Sequence, residues 1–514
     1  AEPIATRVAL AASGGAANLA FRVTVPDTLQ TDADYRLVVE VQADPAGALD
    51  EGIDLLDNNV GASDVADART FEMRFGTYGD RRNVVLSVID PLSGERVQFR
   101  MAGAGAGRVS YVDDAYDVEV TGTSRTSSVV VTTAFGAEVN LGNVTVPIDD
   151  VSGDNVDLGA ILAPQANLTG DLTVSGGLGR ILVDDINGSG EQMITVGAKA
   201  SPRAGDVLRV IAGDVVDAGI ASLTPIQSMM IGSWTDSQDA VGLGDGVGLD
   251  GIDDAIAAPW IGVLRVADVF QADLALEATG DSPAAPGGRE LGIASIGGQV
   301  TGADWAIETA AGAVTLGGAD QWTLTARSAG AITVAGDMTD SAITLDGALD
   351  RRRPGLARLN VFGTLGNSQV RTAGNVGLVA LGRMVDSSLM AGVDPAVTTL
   401  PAAGDFTAAD PVHGQAMIQK FVINNPALTA RRGFASEAKA FDNSTVAAAR
   451  IGRAVVYDVE TANDDNGDAL LGFAADSSID LLVWMESATG REGVFRRTDW
   501  AIGGDVDDFV VRVV

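Results

Sequence analysis

Apolar and polar residues alternate along most of the chain, and this period of two is the pattern of half-buried β-strands. It is clear at 35–42, 97–101 and 116–121, and Gly, Asp, Asn and Ser fill the intervals between such runs. The spacing of apolar residues that marks an amphipathic helix is nearly absent. The pattern therefore predicts an all-β protein.

Residues 1–125 form the first predicted domain. Its alternating runs are separated by turn-forming stretches such as 90–94, as in antiparallel strands joined by short turns. We predict an antiparallel, immunoglobulin-like β-sandwich for this block. A sandwich by itself implies no chemistry, so the block is interpreted as a structural or interaction module.

From about residue 126 the runs become shorter, Gly becomes more frequent, and the sequence repeats itself. The repeated motif is Gly-x-x-x-[Asp/Asn]-Ser, followed by any residue and then an aliphatic one. Its copies begin at Gly336, Gly363, Gly382 and Gly472, a copy with Ala218 for Ser begins at Gly213, and Asn443-Ser444 keeps only the second half. A second similarity relates the residues around Trp305 to those around Trp322, 17 residues later.

Short repeats without helical spacing predict a parallel β-helix, in which each coil of two or three strands stacks on the one before. We place it at 126–484, with a protruding loop near 235–259 and C-terminal capping strands at 485–514. Gly supplies corners with positive φ, and Asn, Asp and Ser hydrogen-bond along the stack. A narrow coil has room only for Ala, Val, Ile and Leu inside, which accounts for an aromatic content of 5%. The alternative is a series of β-sandwiches.

Several stretches resemble the repeats of large secreted bacterial proteins of the right-handed parallel β-helix type. They are 302–310 (GADWAIETA), 319–326 (ADQWTLTA), 336–347 (GDMTDSAITLDG) and 258–266 (APWIGVLRV). Residues 441–479 resemble C-terminal coils of those proteins, and 504–514 resembles their terminal strand. The resemblance covers roughly 140–514. It implies a right-handed coil and a surface, matrix or adhesive role, and it specifies no activity.

Composition excludes several classes of function. The chain of 514 residues has no Cys and one His, so disulfides, thiolate catalysis and multi-histidine zinc sites are excluded. His413 lies in a Pro/Gly-flanked loop and is interpreted as a solvated histidine. With 69 acidic against 34 basic residues the net charge is −35, which opposes binding to nucleic acid. No apolar run is long enough for a transmembrane helix, and the first residues are compatible with a mature secreted chain.

Acidic, Gly-containing turns are the strongest chemical signal, because oxygen ligands close together suit hard cations such as Ca²⁺. The predicted metal ligands are Asp245, Asp250, Asp464, Asp465 and Asp468. Neither turn matches the EF-hand spacing, and a solvated turn is the alternative. No cofactor other than Ca²⁺ is predicted.

Clustered Arg residues in an acidic chain predict docking on carboxylates, because Arg pairs with them through two parallel hydrogen bonds. A solvated face is the alternative. A β-helix also has sheet edges at its ends that can pair with another chain. The predicted self-assembly residues are Arg351, Arg352, Arg353, Arg431, Arg432, Arg496, Arg497, Phe509, Val510 and Val511.

These observations predict a non-enzymatic structural protein of a prokaryotic cell surface, assembling with itself into a layer, filament or matrix. Surface polysaccharide is a further predicted partner. The first alternative is a carbohydrate-active β-helix lyase or hydrolase, which requires paired carboxylates and outward aromatic side chains in a groove. The second is an adhesin that binds glycans or a surface through residues 1–125.

Overall fold

The structure, a computed structural model, describes residues 73–78, 82–134, 136–149, 152–199, 203, 205–236, 255–278, 283–350, 353–423, 439–461, 470–485, 492–496 and 508–514. Apart from a single 3-10 turn at Pro286–Gly288, the regular structure of these residues is β-strand, as predicted. None of it is a helix long and apolar enough to cross a membrane. The chain divides into two compact units, Ala1–Ser201 and Pro202–Val514.

The first unit begins with antiparallel strands and continues with parallel ones. Its strands are β1 (Met73–Tyr78), β2 (Arg82–Val84), β3 (Leu86–Ile89), β4 (Arg96–Ala102), β5 (Ala106–Val112), β6 (Ala115–Thr121), β7 (Ser128–Thr133), β8 (Val139–Val146), β9 (Ala160–Ala163), β10 (Ala166–Leu168), β11 (Leu172–Val174), β12 (Arg180–Val183) and β13 (Ile186–Val196).

Pairing in this unit changes direction after β7. Strand β1 pairs with β2 and β5, β5 with β6, and β4 with β3 and β7, all antiparallel. From β8 onward the pairs are parallel, beginning with β6 to β8 and β7 to β9. The described strands of 1–125 therefore pair with one another antiparallel, as predicted, although β6 also pairs in parallel with β8. Strand β5 was not identified from the alternation. Residues 1–72, on which most of the predicted sandwich depends, lie outside the described residues.

The second unit consists almost entirely of parallel strands. They are β14 (Leu208–Ile211), β15 (Asp214–Ser222), β16 (Ile226–Ile231), β17 (Ser233–Thr235), β18 (Ala255–Ala258), β19 (Ile261–Val266), β20 (Asp273–Leu276), β21 (Leu291–Thr301), β22 (Asp304–Ile307), β23 (Ala310–Asp320), β24 (Thr323–Ala326), β25 (Ser328–Val334), β26 (Met338–Thr339), β27 (Ala342–Leu345), β28 (Leu356–Gly366), β29 (Gln369–Thr372), β30 (Val376–Val385), β31 (Ser388–Ala391), β32 (Met417–Ile423), β33 (Phe441–Asp442), β34 (Thr445–Tyr457), β35 (Leu471–Met485), β36 (Glu492–Arg496) and β37 (Phe509–Val513).

These strands form three columns of parallel pairing, here called sheets A, B and C, which the chain visits in that order. In one coil Ala294 lies in sheet A, Val300 in sheet B and Trp305 in sheet C, and each pairs with its counterpart in the next coil. Sheet A comprises 208–211, 226–231, 261–266, 291–296, 311–316, 329–334, 356–361, 376–381, 418–423, 450–457 and 478–485. This is the pairing of a β-helix-like coil.

Large aromatic side chains fill part of the interior, contrary to the prediction that only small aliphatic residues fit there. Trp234, Phe270, Trp305 and Trp322 form a file of edge-to-face rings with centroids 6.0, 6.0 and 5.3 Å apart. A second cluster surrounds Phe473 near the C-terminal coils. The coil is therefore wide enough for indole rings, and the few aromatic residues are concentrated inside it.

The 17-residue similarity between the two Trp segments does not follow the coil. Trp305 pairs with Leu324, not with Trp322, so the register is offset by two residues from the sequence similarity. The loop predicted near 235–259 ends earlier than expected, because Ala255–Ala258 already forms a strand of sheet C. Residues 237–254, the main part of that loop, lie outside the described residues.

Candidate functional site: the corners and outer surfaces of the second unit

The Asp/Asn-Ser motif forms the corner between sheets B and C. Asp340, Asn367, Asp386 and Asn443 all have φ between 39° and 48°, the left-handed region that Asp and Asn tolerate better than most residues. Asp217 has φ 50°, so the variant copy with Ala218 occupies an equivalent corner. These copies of the motif are confirmed as repeated corners, but the prediction that Gly supplies their positive φ was wrong, because the Gly that opens a copy does not have it.

The serine of the motif forms a buried ladder along the coil. The backbone N–H of Ser341 donates to the Oγ of Ser368 at 3.1 Å, and that of Ser368 donates to the Oγ of Ser387 at 3.0 Å. Ser444 extends the ladder by accepting from the Ser387 N–H at 3.2 Å. Each hydroxyl also donates to the carbonyl two residues before it. The ladder satisfies polar groups that would otherwise be buried without partners.

The copy at 472–479 is not a corner of this kind. Thr445, the residue after the corner Asn443-Ser444, pairs with Gly472. The corresponding corner of the next coil therefore lies just before Gly472, and Asp476 and Ser477 come after it. They occupy the irregularity in β35 between sheets C and A, where the Ser477 hydroxyl donates to the Ala449 carbonyl at 2.7 Å. The prediction of a fourth equivalent copy was wrong.

The serine ladder gives a direct stability prediction. Replacing Ser368 with Ala leaves the Ser341 N–H without its acceptor in a buried position, and should cost about 1–3 kcal/mol. Ser388→Ala is the control, because Ser388 lies in the next coil opposite Gln369, is only half-buried, and has no side-chain hydrogen bond within the described residues. Urea unfolding followed by circular dichroism measures both. Equal midpoints for the two variants would contradict the ladder.

A row of carboxylates lies at these corners or one residue before them. This row, here called the acidic ridge, consists of Asp320, Asp340, Asp386 and Asp442. The Thr339 hydroxyl donates to Asp320 at 2.6 Å, and the Asn443 amide donates to Asp386 at 2.6 Å. In both contacts the acceptor is Oδ1. Burial raises the pKa of Asp442, and the negative charges of Asp386 and Glu460 raise it further. The ridge is therefore a region of concentrated negative charge.

The raised pKa of Asp442 predicts a pH-dependent variant. A carboxyl that holds its proton more tightly in the folded state makes the protein less stable as pH rises above the ordinary Asp pKa of about 3.9. Asp442→Asn cannot ionise, so it should be more stable than the wild type at pH 7 and lose this advantage below pH 3.9. Urea unfolding at pH 7 and pH 3 tests this, with Asp346→Asn as the exposed control. An Asp442→Asn advantage that persists unchanged at pH 3 would contradict it.

A loop covers the outer surface of sheet C in the last coils. Outward residues of that sheet, Met390, Ala447, Ala474 and Val510, pack with Val393 and Leu400 of the loop, and Val397 and Phe406 lie against them. This loop, 393–406, is called the strap. It explains why the outer positions of these coils are apolar.

Two arginines attach the strap to the coil. Arg512 donates to the carbonyls of Leu400 and Pro401 at 2.7 and 2.6 Å. Arg371 donates to the carbonyl of Asp394 at 3.2 Å and also to that of Val397. Neither residue was predicted from the sequence, since neither belongs to a cluster of arginines. For Arg512 the available signal was an arginine at an outward position of an otherwise apolar strand. Arg371 lies in the mixed strand Gln369–Thr372, which gave no such signal.

The predicted assembly residues have different surroundings. Phe509 and Val511 of β37 are buried inside their own coil, and Val510 packs beneath the strap. Arg353 is exposed ahead of β28, and Arg496 is the last residue of β36. The structure does not bring these two arginines into one cluster. Arg351, Arg352, Arg431, Arg432 and Arg497 lie outside the described residues.

The predicted metal ligands Asp245, Asp250, Asp464, Asp465 and Asp468 also lie outside the described residues. Within the part of the chain that the structure describes, no group of three or more His, Asp or Glu side chains is arranged to hold a metal ion. The His413 loop is closed by Asp410, whose carboxylate accepts from the backbone N–H groups of His413 and Val412 at 2.7 Å. These two bonds lower the pKa of Asp410.

An open groove of about 330 Å³ lies on the outer surface of β5, β6 and β8 in the described part of the first unit. Arg108 and Glu119 form an ion pair across it at 3.6 Å, and Asp117 accepts from the Asn143 N–H at 2.6 Å. Its other lining residues include Ser110 and Thr145. The groove is polar and has no aromatic side chain in its lining.

In comparisons with known proteins, no family model, curated protein or solved structure matches this chain.

Proposed function

We propose that this chain is a non-enzymatic structural protein of a prokaryotic cell surface that assembles with copies of itself. In this proposal the coil is a right-handed parallel β-helix, and residues 1–125 form a sandwich at its start. The charge of −35 and the resemblance to secreted β-helix proteins support a location outside the cell. Ca²⁺ bound in the acidic turns would strengthen the assembly by reducing repulsion between copies.

The main-chain edge of β37 carries the proposal. Among the described residues β37 pairs only with β35, in parallel register. The Asp508 carbonyl accepts from the Leu471 N–H at 3.1 Å, and the Val514 N–H donates to the Ala475 carbonyl at 2.8 Å. Because alternate residues of a parallel strand bond to opposite sides, the intervening odd-numbered residues direct their N–H groups away from β35. A strand of another chain can pair with this edge.

The test combines light scattering with electron microscopy of the purified protein over a range of NaCl and CaCl₂ concentrations. We expect ordered assemblies that depend on salt or Ca²⁺. Val513→Pro removes an outward N–H while leaving the bonds to β35, so it should reduce assembly, whereas Val513→Ala should not. A protein that stays monomeric under all conditions would refute the proposal.

The polar groove of the first unit favours a second candidate function, binding of surface glycans. Sugar hydroxyls need both donors and acceptors, and Arg108, Asp117, Glu119 and Asn143 provide them around one open volume. Glycan-array binding that is lost in Arg108→Ala and kept in Arg289→Ala would support this adhesin function.

The enzyme alternative has less support. It required tryptophans facing out into a cleft, but Trp234, Trp260, Trp305, Trp322 and Trp484 are all buried. Trp500 lies outside the described residues. The buried tryptophans form part of the packed interior and do not line a surface at which a sugar chain would stack.

A further inference from the structure

Sheet A of the second unit differs in charge from the rest of the chain. Its segments contain six basic residues, Arg209, Arg265, Arg358, Lys420, Arg450 and Arg453, and a single acidic residue, Asp480. Asp480 is already paired, since it contacts Arg450 at 2.6 Å. In a protein with twice as many acidic as basic residues, this is a basic surface on an acidic molecule.

Three of the cations stand in one column across neighbouring strands. The register runs from Arg358 to Leu378, then to Lys420 and Arg453, so all three cations point outward from sheet A. Each is exposed, and none forms an ion pair within the described residues. We call this column the basic strip. Repulsion between its like charges is not offset by an ion pair within the described part of the chain.

Aliphatic side chains lie on the same outer surface of sheet A. Ile293 is 48% exposed and Met230 is 42% exposed, although most large apolar residues of this unit are buried. Exposed aliphatic groups next to arginines on a flat sheet are typical of a protein-binding surface.

The acidic ridge has the charge and the spacing that the basic strip requires. Asp340, Asn367 and Asp386 occupy the same corner in three successive coils, so two strand spacings separate the two carboxylates. Two strand spacings also separate Arg358 from Lys420. Both distances are about 9.6 Å, because neighbouring strands lie about 4.8 Å apart. Two copies lying side by side with parallel coil axes therefore bring charges of opposite sign into register.

We propose that sheet A of one copy docks on the acidic ridge of a second copy, so that coils associate laterally. This rests on the proposed self-assembly and adds to it a second contact, distinct from the strand edge at β37. The partner that binds sheet A is a second copy of this chain, because the chain itself carries the acidic ridge, whose carboxylates have the same spacing as the cations of the basic strip. Lateral contacts of this kind weaken as salt screens them.

Zero-length carbodiimide cross-linking tests the contact, because it joins lysine to carboxylate. The chain has three lysines, and Lys420 is the only one in sheet A. In a mixture of ¹⁴N- and ¹⁵N-labelled protein, we expect mixed-isotope peptides that join Lys420 to Asp340 or Asp386. Lys439 lies 3.6 Å from Glu460 of the same copy, so its same-isotope cross-link is the internal control.

Matched charge variants give a second measurement. The triple variant Arg358→Glu, Lys420→Glu, Arg453→Glu reverses the basic strip, and Arg203→Glu, Arg289→Glu, Arg327→Glu reverses three exposed arginines outside sheet A. Each reversal changes the charge by −2, so both variants carry −41 instead of −35. We expect the first to weaken association at least about tenfold relative to the second.

Three results would overturn the inference. Assembly with no intermolecular Lys420 cross-link, and with equal behaviour of the two triple variants, would refute lateral docking while leaving the proposed function standing. A protein that is monomeric under all conditions would refute both. Binding of monomeric protein to polygalacturonate, lost only in the basic-strip variant, would assign sheet A to an acidic glycan.

Discussion

Replacement of Gly312 with Ala is expected to destabilise the second unit by at least about 3 kcal/mol, at the upper end of the range for single substitutions. A methyl group at this position would overlap the carbonyl oxygen of Gly292 in the neighbouring coil, and would also approach the Leu291 carbonyl. Backbone atoms in adjacent coils cannot move apart without breaking the hydrogen bonds between them. Gly330 follows Gly312 in the same arrangement, so the close approach recurs along sheet A.

The matched control for this glycine is Gly205→Ala, because a methyl group on Gly205 would have no atom within 4 Å. We expect this variant to stay within about 0.5 kcal/mol of the wild type, as is usual for exposed positions. Urea unfolding followed by circular dichroism compares the two proteins. Closely similar unfolding midpoints would show that the coils are not stacked as closely at Gly312 as described.

Replacement of Trp305 with Ala is expected to cost about 3–5 kcal/mol, the range for deleting a large buried aromatic side chain. Trp305 is 1% exposed and contacts Phe270 and Trp322 through edge-to-face packing. Its indole N–H has no hydrogen-bond partner within the described residues. Trp305→Phe should therefore cost much less than Trp305→Ala, because it loses volume but breaks no hydrogen bond.

Unfolding midpoints of these two Trp305 variants, with Leu223→Ala as the exposed control, give the measurement. Leu223 is 54% exposed, so its truncation should change stability by no more than about 0.5 kcal/mol. A Trp305→Ala variant as stable as Leu223→Ala would contradict the position of this ring inside the coil. The cost can be confined to nearby coils, because repeat architectures depend on neighbour interfaces.

Much of the second unit's corner structure was predictable from the motif. The Asp/Asn-Ser motif predicted repeated corners, and these are confirmed at Asp340, Asn367 and Asp386. The prediction that Gly supplies the positive φ of the corners was wrong for these copies, because Asp or Asn takes up the left-handed conformation and the Gly that opens each copy does not. The motif was also misleading at Asp476, where the same residue types occur at a different point of the coil.

The candidate surfaces were less predictable. The predicted arginine clusters are adjacent in the chain, whereas Arg358, Lys420 and Arg453 come together only across the strands of sheet A. Val510 was predicted to take part in assembly, but its side chain packs beneath the strap. Residues that meet through strand pairing are separated in the chain by insertions of variable length, so no local pattern relates them.

The sequence by itself determined the β character, the existence of a repeat and the position of the corner motif, since alternation and turn propensity are properties of short segments. Only the tertiary structure decided the register. Trp322 is 19 residues from Ser341, Ser341 is 27 from Ser368, and Ser387 is 57 from Ser444, yet each pair occupies neighbouring coils. Hydrogen bonds between coils, and not the similarity of the surrounding sequence, determine which residues become partners. The same stacking separates the charges into a basic sheet and an acidic ridge.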